Sequence, residues 1–507
     1  MKLNYKRTIL VGFAFFLISA FWQSYDATIA LTLTNKFGMN QFWSGWIMAL
    51  DNILAVFMLP LFGTLSDKHK GKSGRRTPFI RFGTILAAVA LVGLSFIDNA
   101  QLKNLDAVAT VDDPAALTTI YETQADAKLT TPDGQEFVLS ETFTKDQFVE
   151  INSKENKDDY TNFVVPARQA YASQVTKSDP VPLVLFIAVL LVILIAMATF
   201  RSPAVALMPD VTVKPLRSKA NAIINLMGTA GGILVLVLGI IFGTSAHLMS
   251  YTAFWGVLAA VMIGALIVFL TTVKEPQWVA QMRSDSIRYG IEEETEDTQE
   301  TKRTLSKQEK ISLVCILLSV ALWYIGYNAV TSKYSVYATN VLQKNYNTTM
   351  LIAQAAAIVA YLPAGIVASK LGRKKTILGG VVMLSAAFGA ASFIGPNSPT
   401  IVMNLLFILA GIAWATINVN SFPMVVEMCS GGDVGKYTGF YYTASMTAQI
   451  VTPVLSGAIM TATGNMKILF PYAAIFAGLA FFTMLMTKHG DAKVIAKKGL
   501  EALDIDD

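Results

Sequence analysis

Three charged residues lie alone in long apolar stretches of the sequence: Asp26, Asp51 and Lys333. A charged side chain is costly inside a lipid bilayer, and such residues usually face a cavity or an opposite charge. A carboxylate in a cavity accepts hydrogen bonds from a hydroxylated ligand and can take up and release a proton. We therefore predict that Asp26 binds a ligand and couples a cation, that Asp51 is a second cation-coupling group, and that Lys333 lies beside them as a ligand contact. The alternative is a static Asp–Lys pair that only fixes helix packing.

Aromatic and amide side chains flank these charged positions in the sequence. Aromatic rings pack against the apolar faces of a ligand while their polar tips form hydrogen bonds, and amides both donate and accept. The further candidate ligand contacts are Trp22, Gln23, Tyr25, Trp323, Tyr327, Asn328, Gln354 and Asn418. Tyr25 and Tyr327 are favoured among the rings because each directly precedes a polar residue. Ordinary core packing and hydrogen bonds between helices are the alternative explanations for these residues.

The elements that must position these residues are membrane-spanning helices. Of the 507 residues, 53% are hydrophobic and only 15% are charged, whereas soluble domains carry about 25% charged residues. A span needs about 20 apolar residues. The stretches that qualify are 8–34, 41–66, 79–97, 181–200 (or, as an alternative, 181–209), 219–243, 253–273, 311–338, 349–369, 376–395, 400–427, 437–463 and 469–487. The sequence therefore predicts an all-α polytopic membrane protein with twelve transmembrane helices.

Lysine and arginine are concentrated in alternate short loops, which sets the expected orientation. The loops at 68–76, 214–219 and 370–375 are strongly basic, while the short loops between them carry few basic residues. Basic loops remain in the cytoplasm. Both termini are therefore predicted to be cytoplasmic, in a multi-pass protein of the plasma membrane.

Two loops are much longer than the others. The segment 98–180, between the third and fourth spans, is predicted to lie outside, either as a small folded cap or as a solvated, partly ordered insertion. The segment 275–310 contains an acidic run and is predicted to be a cytoplasmic linker. It separates two six-helix halves, 1–274 and 311–490, and a cytoplasmic tail follows at 491–507.

The two halves contain related motifs in the same order. Phe21-Trp-Gln-Ser-Tyr-Asp26-Ala matches Trp323-Tyr-Ile-Gly-Tyr-Asn328-Ala, so Asn328 is the counterpart of Asp26. Gly63-Thr-Leu-Ser-Asp67-Lys matches Gly365-Ile-Val-Ala-Ser369-Lys at the same separation along the chain. Six-helix halves repeated in parallel are typical of the major facilitator architecture.

Several motifs resemble those of known transporters. Gly63-x-x-x-Asp67-Lys68 with Gly74-Arg75-Arg76 resembles the loop signature of the major facilitator superfamily, and its continuation to Ile80 is similar to the sucrose-transporter branch. Pro203-x-x-Ala206-Leu207-Met208-Pro209-Asp210 resembles the glycoside–pentoside–hexuronide cation symporters, as does the segment 323–338. The resemblance covers most of the chain except the outer loop.

The resemblance implies alternating-access transport of a sugar or glycoside together with a cation. It also implies a cytoplasmic gate of charged residues that holds one state closed. The gate residues that match are Asp67, Arg75, Asp210 and Arg217. Melibiose-type symporters have sodium-binding acids in helix two where this chain has Ala55 and Leu59. A proton is therefore the favoured coupling ion, and sodium is the alternative.

The leading hypothesis is a proton-coupled symporter of a small sugar or glycoside that works as a monomer in the lipid bilayer. One alternative is a lysolipid or other amphiphile transporter of the same fold. Another is a non-transporting sensor that binds its ligand with loop 98–180. No nucleotide-binding loop, zinc motif or nucleophile elbow occurs in the sequence. We therefore expect no enzyme, no cofactor, no metal site and no nucleic-acid partner.

Overall fold

The computed structural model describes residues 3–213, 216–289, 306–426, 428 and 434–489. The acidic run of the predicted linker and the predicted tail at 491–507 lie outside these residues. The described chain is almost entirely helical, as expected from its apolar composition.

Twelve long helices form the membrane bundle. Eleven of those in the described residues are long and apolar enough to cross a membrane. The twelfth, Val434–Thr463, is richer in Ser, Thr and Tyr and packs between two of the others. The bundle helices are α1 (Tyr5–Leu31, continued by a π-helical turn, Thr32–Lys36), α2 (Gln41–Lys68), α3 (Thr77–Asn104), α9 (Val181–Val211), α10 (Arg217–Phe242), α11 (Thr252–Thr272), α13 (Lys307–Asn340), α14 (Tyr346–Leu371), α15 (Arg373–Ala391), α16 (Thr400–Val426), α17 (Val434–Thr463) and α18 (Leu469–Leu485). These twelve helices lie where the twelve spans were predicted, and eleven of them qualify as membrane spans. A further helix, α12 (Glu275–Arg288), follows α11 and packs against α9.

Short polar side chains fix where several of these helices begin. Asn4 accepts a hydrogen bond from the backbone N–H of Arg7, and Asn40 accepts one from that of Trp43. Ser306 and Glu309 form a reciprocal capping box at the start of α13. Such caps satisfy backbone donors that have no partner inside the helix. They lie just outside the apolar stretches, as the sequence pattern requires.

The two halves repeat the same packing. In each half the first helix packs against the fifth and sixth, and the third packs against the fourth and sixth. Between the halves, α1 packs against α13, α2 against α17, and α10 against α14. This arrangement agrees with the internal repeat in the sequence and places a pseudo-symmetric boundary through the centre of the bundle.

The backbones of α2 and α17 approach each other closely near one end of the bundle. A Cβ atom added at Gly45 would lie 2.1 Å from the carbonyl oxygen of Pro453. One added at Gly457 would lie 2.2 Å from the carbonyl oxygen of Gln41. Only glycine at these two positions allows the helices to touch.

We name the two ends of the bundle by their loops. The basic end carries the loop 69–76 and the loop after α9, and the opposite end, the cap end, carries the insertion between α3 and α9. Which end faces the cytoplasm stays a prediction from the distribution of lysine and arginine.

The insertion between α3 and α9 is folded, which agrees with the prediction of a small folded cap rather than a solvated, partly ordered segment. Residues 105–180, here called the cap, form α4 (Pro114–Gln124), α5 (Leu139–Thr142), α6 (Lys145–Val149), α7 (Lys157–Asp159), α8 (Val165–Ser178) and a two-stranded antiparallel sheet of β1 (Lys128–Thr130) and β2 (Glu136–Val138). Its apolar cluster includes Leu117, Ile120, Phe148 and Val164, each almost completely buried.

The cap begins later than the sequence indicated, because α3 continues to Asn104 rather than ending near 97. The reason is a buried ion pair. Lys36 Nζ lies 2.5 Å from Asp98 Oδ1, and the two side chains are 2% and 0% exposed. The charge of Asp98, which suggested a loop, is neutralised within the helix bundle.

Candidate functional site: a polar cavity between the halves

A cavity of about 620 Å³ lies between the two halves at the centre of the bundle. Its volume is within the range of sites that bind small organic molecules. Polar and aromatic side chains from both halves line it: Trp22, Gln23, Asp26, Asp51, Asn52, Arg201, Asn225, Tyr327, Asn328, Gln354, Tyr361, Trp414 and Gln449. The candidate residues Trp22, Gln23, Asp26, Asp51, Tyr327, Asn328 and Gln354 are therefore brought together.

Asp26 and Asp51 differ in their hydrogen bonding. Among the described residues, no side chain donates a hydrogen bond to the carboxylate of Asp26, although Ser335 donates to its backbone carbonyl at 3.3 Å. Asp51 Oδ1 accepts a hydrogen bond of 2.8 Å from Asn52 Nδ2. The carboxylate of Asp26 is thus available to a ligand or a proton in the cavity.

Arg201 is the cation of this cavity, and the sequence analysis missed it. Its guanidinium carbon lies 5.5 Å from the centroid of the Trp22 ring, and its charge interacts with that of Asp51. No ion pair within 4 Å joins it to another residue of the described chain. Of the two ends expected for the fourth span, 200 and 209, the structure agrees with the longer, because α9 continues to Val211 and places Arg201 within the bundle.

Lys333 does not pair with Asp26, contrary to the expectation from helix depth. Its Nζ donates to the backbone carbonyl of Gln41 at 3.1 Å and to the side-chain Oε1 of the same residue at 3.2 Å. Lys333 is 3% exposed and does not line the cavity. In this conformation it joins α13 to the start of α2 rather than contacting a ligand.

Two of the predicted aromatic contacts pack elsewhere. Tyr25 is buried and its hydroxyl lies 3.3 Å from the carbonyl oxygen of Ile47, so it joins α1 to α2. Trp323 is completely buried and does not line the cavity. Tyr327 does line it and stacks on Trp414, with ring centroids 3.6 Å apart and an angle of 7° between the rings. Trp414 was not among the candidates because nothing in its sequence neighbourhood is charged.

The amide candidates also divide into two groups. Gln354 Nε2 donates to Gln23 Oε1 at 2.6 Å, which links the two halves across the cavity. Asn328 lines the cavity, and its Nδ2 has no hydrogen-bond partner among the described residues. Asn418 lies outside the cavity lining, where its Oδ1 is 3.5 Å from the Tyr324 hydroxyl.

The halves are joined at the cap end of the cavity. Asn35 and Asn340 exchange two amide hydrogen bonds, of 3.1 and 2.7 Å. Phe42 N donates to Thr461 Oγ1 at 3.0 Å. Further hydrogen bonds on this side join Thr244 to Tyr346 at 2.7 Å and Ser245 to Asn345 at 3.2 Å. The structure therefore shows a conformation that is closed at the cap end.

A charge network lies at the basic end, within the first half. Arg76 pairs with Asp67 and, at 2.9 Å, with Asp210, while Arg75 pairs with Asp210 at 2.6 Å. Arg217 is not part of this network, because its guanidinium donates to backbone carbonyls at the end of α9. Three of the four predicted gate residues therefore interact, and Arg76 is the residue that connects them.

Glu275 is a second residue of this network that the sequence analysis missed. It is 1% exposed, and its carboxylate accepts hydrogen bonds from the backbone N–H groups of Arg75, Arg76 and Thr77. These groups form the N-terminus of α3, where a negative charge is favourable. Its sequence context, at the start of an acidic linker, suggested a solvated residue instead.

The described residues contain no group of three or more His, Cys, Asp or Glu side chains that could hold a metal ion. In α2, Ala55 and Leu59 lie one and two turns after Asp51 and carry no acid. Asp51 is therefore the carboxylate that α2 contributes to the cavity.

Comparisons with known proteins agree with this architecture. A family model described as Major Facilitator Superfamily matches residues 345–502, and one described as MFS/sugar transport protein matches residues 11–101. Both models describe major facilitator proteins, and they match one stretch in each half of the chain. Over 137 residues it is 25% identical to the MFS-type transporter ppzB of Metarhizium rileyi, a match that covers 27% of this chain and 28% of that protein.

Solved structures share the fold over the whole chain. The inward open conformation of the xylose transporter XylE from E. coli is 14% identical, with a TM-score of 0.56 and coverage of 98% of both chains. A D-xylose-proton symporter is 14% identical, with a TM-score of 0.55 and coverage of 95% and 97%. The nucleoside transporter NupG is 15% identical, with a TM-score of 0.52 and coverage of 96% and 100%.

Proposed function

We propose that this chain is a secondary active transporter that carries a sugar or glycoside together with a proton. The observation that carries the proposal is the carboxylate of Asp26, which faces a polar cavity at the boundary of two pseudo-symmetric halves. A site at that boundary can be exposed to either end of the bundle when the halves rock against each other. The basic end would face the cytoplasm.

The chemistry of the cavity favours a hydroxylated ligand with apolar faces. The Trp22, Tyr327 and Trp414 rings offer flat apolar surfaces, while Asn328 and Asn225 offer amide donors and acceptors. A sugar presents C–H faces to rings and hydroxyl groups to amides and carboxylates. The alkyl chain of a lysolipid would instead lie against these polar groups, which would lose hydrogen bonds to water without replacement.

The arrangement of charges favours a proton over sodium. Asp26 has no described cationic partner, so protonation would leave the cavity without a buried negative charge at that position. Such isolated carboxyl groups serve as proton carriers in transporters. Sodium would need several oxygen ligands around one point, and the positions that supply acids in melibiose-type symporters are Ala55 and Leu59 here.

Uptake into proteoliposomes tests this function. The purified protein would be given a panel of radiolabelled mono- and disaccharides with an imposed proton gradient, an imposed sodium gradient, or neither. We expect uptake of at least one glycoside that is driven by the proton gradient. Absence of glycoside uptake under all three conditions would show that sugar transport is wrong, and dependence on sodium alone would show that the coupling ion is wrong.

Asp26→Asn separates coupling from binding. We expect it to lose proton-driven accumulation while retaining exchange of labelled for unlabelled sugar across the membrane, because the amide still forms hydrogen bonds but cannot carry a proton. Asp106→Asn is the matched control, since Asp106 is exposed in the cap and far from the cavity in sequence and fold. Full proton-driven accumulation by Asp26→Asn would exclude Asp26 as the coupling group.

A further inference from the structure

The cap is attached to the two halves in different ways. It is continuous with α3 and α9 of the first half, and its apolar cluster includes Leu248 from the loop between α10 and α11. Among the described residues, no apolar side chain of the second half belongs to that cluster. Gln101 Nε2 adds a hydrogen bond of 3.1 Å to Thr176 Oγ1, and Gln169 Nε2 donates to Asn35 Oδ1 at 3.1 Å.

Among the described residues, the hydrogen bonds and ion pairs that attach the cap to the second half lie at three loops. The first joins the turn after β1 to the loop between α17 and α18. There the carbonyl oxygen of Pro132 accepts the backbone N–H of Met466 at 2.8 Å, and Asp133 pairs as an antiparallel β-bridge with Asn465. Lys467 Nζ lies 3.8 Å from Asp133 Oδ2 in a partly exposed ion pair.

The other two contacts lie on the remaining cap-end loops of the second half. Asn397 Nδ2 donates to Asp158 Oδ2 at 2.6 Å, in the loop between α15 and α16. Gln343 Nε2 donates to the carbonyl oxygen of Lys157 at 3.1 Å and to Thr161 Oγ1 at 2.9 Å, in the loop between α13 and α14. The cap thus touches every cap-end loop of the second half.

These two kinds of attachment differ in how easily they break. Separating apolar surfaces exposes them to water, which is costly in proportion to their area. Hydrogen bonds near the surface exchange for bonds to water with little net change, and exposed ion pairs contribute little. The cap should therefore stay on the first half and release the second.

From this asymmetry we infer that the cap is a clasp that holds the cap end closed and must release the second half each time that end opens. The inference rests on the proposed transport function, since alternating access requires the halves to separate there. The contacts of Pro132, Asp158 and Gln343 would then break together with those between α2 and α17. Ligand binding by the cap is not required.

A reversible crosslink tests the clasp through transport. In a variant whose two native cysteines are replaced by serine, Asp133→Cys and Asn465→Cys would form a disulfide across the β-bridge, where paired backbones lie close enough for one. Lys128→Cys with Val138→Cys is the matched control, because it joins two paired strands within the cap. We expect oxidation of the first pair to reduce uptake more than tenfold and reduction to restore it, with no change in the control. Undiminished uptake by the oxidised first pair would overturn the clasp.

Distance measurements test the clasp without relying on transport. Spin labels are placed at Glu136→Cys in the cap and Phe393→Cys in the second half. With the clasp unaltered they should give one distance. In a release variant that also carries Lys467→Ala and Asn397→Ala they should give a second, longer distance as well. Labels at Glu136→Cys and Ala253→Cys, both on the first half, should keep one distance. The proposal would be overturned if the distance between Glu136→Cys and Ala253→Cys changed. It would also be overturned if the release variant gave only the original distance between Glu136→Cys and Phe393→Cys. If the distances change as expected but no sugar is taken up, the proposed transport function is wrong and the clasp is supported.

Discussion

Replacing one member of the buried ion pair at the base of the cap should lower the stability of the protein by an amount that follows from its burial. Lys36 and Asp98 are almost completely buried, and Lys36 Nζ also lies 3.9 Å from the centroid of the Tyr251 ring. Asp98 Oδ2 additionally accepts the backbone N–H of Tyr251 at 3.2 Å. Replacing either charge alone leaves the other without a charged partner in an apolar environment.

Each single replacement should therefore be strongly destabilising. Removing one partner of a buried ion pair costs about 3–5 kcal/mol. For a unit of the size of the first half this corresponds to a fall in melting temperature on the order of 10 °C. Lys36→Met and Asp98→Asn should each show a loss of this size, although neither residue lines the cavity.

The double replacement should cost less than either single one. Lys36→Met with Asp98→Asn removes both charges, keeps an aliphatic chain over the Tyr251 ring and keeps an acceptor for its backbone N–H. Thermal unfolding in detergent, followed by intrinsic fluorescence, measures the four proteins of this cycle under one condition. If the loss in the double variant equals the sum of the single losses, the two charges do not depend on each other and the reasoning is refuted.

Three further predictions concern other sites. Arg76→Ala should lower the melting temperature more than Arg75→Ala, because the Arg76 side chain is 5% exposed and that of Arg75 is 34% exposed; equal losses in thermal unfolding would contradict this. Burial and the nearby charge of Arg168 lower the pKa of His247 to about 4, so a neutral His247 stabilises the cap most above pH 6.5. Stability should then fall by about 3 kcal/mol as the pH falls from 6.5 to 4, and His247→Gln should flatten the melting temperature measured over that range. Trp414→Ala should weaken the apparent affinity for the transported sugar at least tenfold while Trp414→Phe keeps most of it, as uptake at varied sugar concentration would show; equal affinities would exclude stacking.

The sequence predicted the elements well because apolar length and basic loops are strong signals. The twelve spans, the internal repeat and the shared location of Asp26 and Asp51 are all visible in residue type and spacing. The structure agrees with the sequence at these positions, because an apolar segment long enough to cross the bilayer has few possible structures other than an α-helix.

What the sequence could not supply is the rotation of each helix about its axis. The rise per residue gives the depth of Lys333, but adjacent positions differ by about 100° around the helix, so depth alone placed it wrongly beside Asp26. The same geometry explains why Tyr25 packs against α2 while Trp22, one turn before Asp26, lines the cavity.

Long-range partners were the other source of error. Arg201 directly follows the apolar run that ends the shorter alternative for the fourth span, so it was not a candidate, and Asp98 was expected to begin the outer loop. In the first case the helix continues along a cavity, and in the second a lysine from another helix neutralises the charge. Neither partner is near in sequence.

The close crossing of α2 and α17 has a practical consequence. Because Gly45 and Gly457 each admit the opposing backbone within about 2 Å of a Cβ position, a single methyl group at either place would act as a wedge. Gly45→Ala or Gly457→Ala would push the two helices apart at the cap end without replacing any polar or aromatic side chain of the cavity. Such wedge variants would give crystallographers and electron microscopists a way to populate the opposite, cap-open state without any ligand.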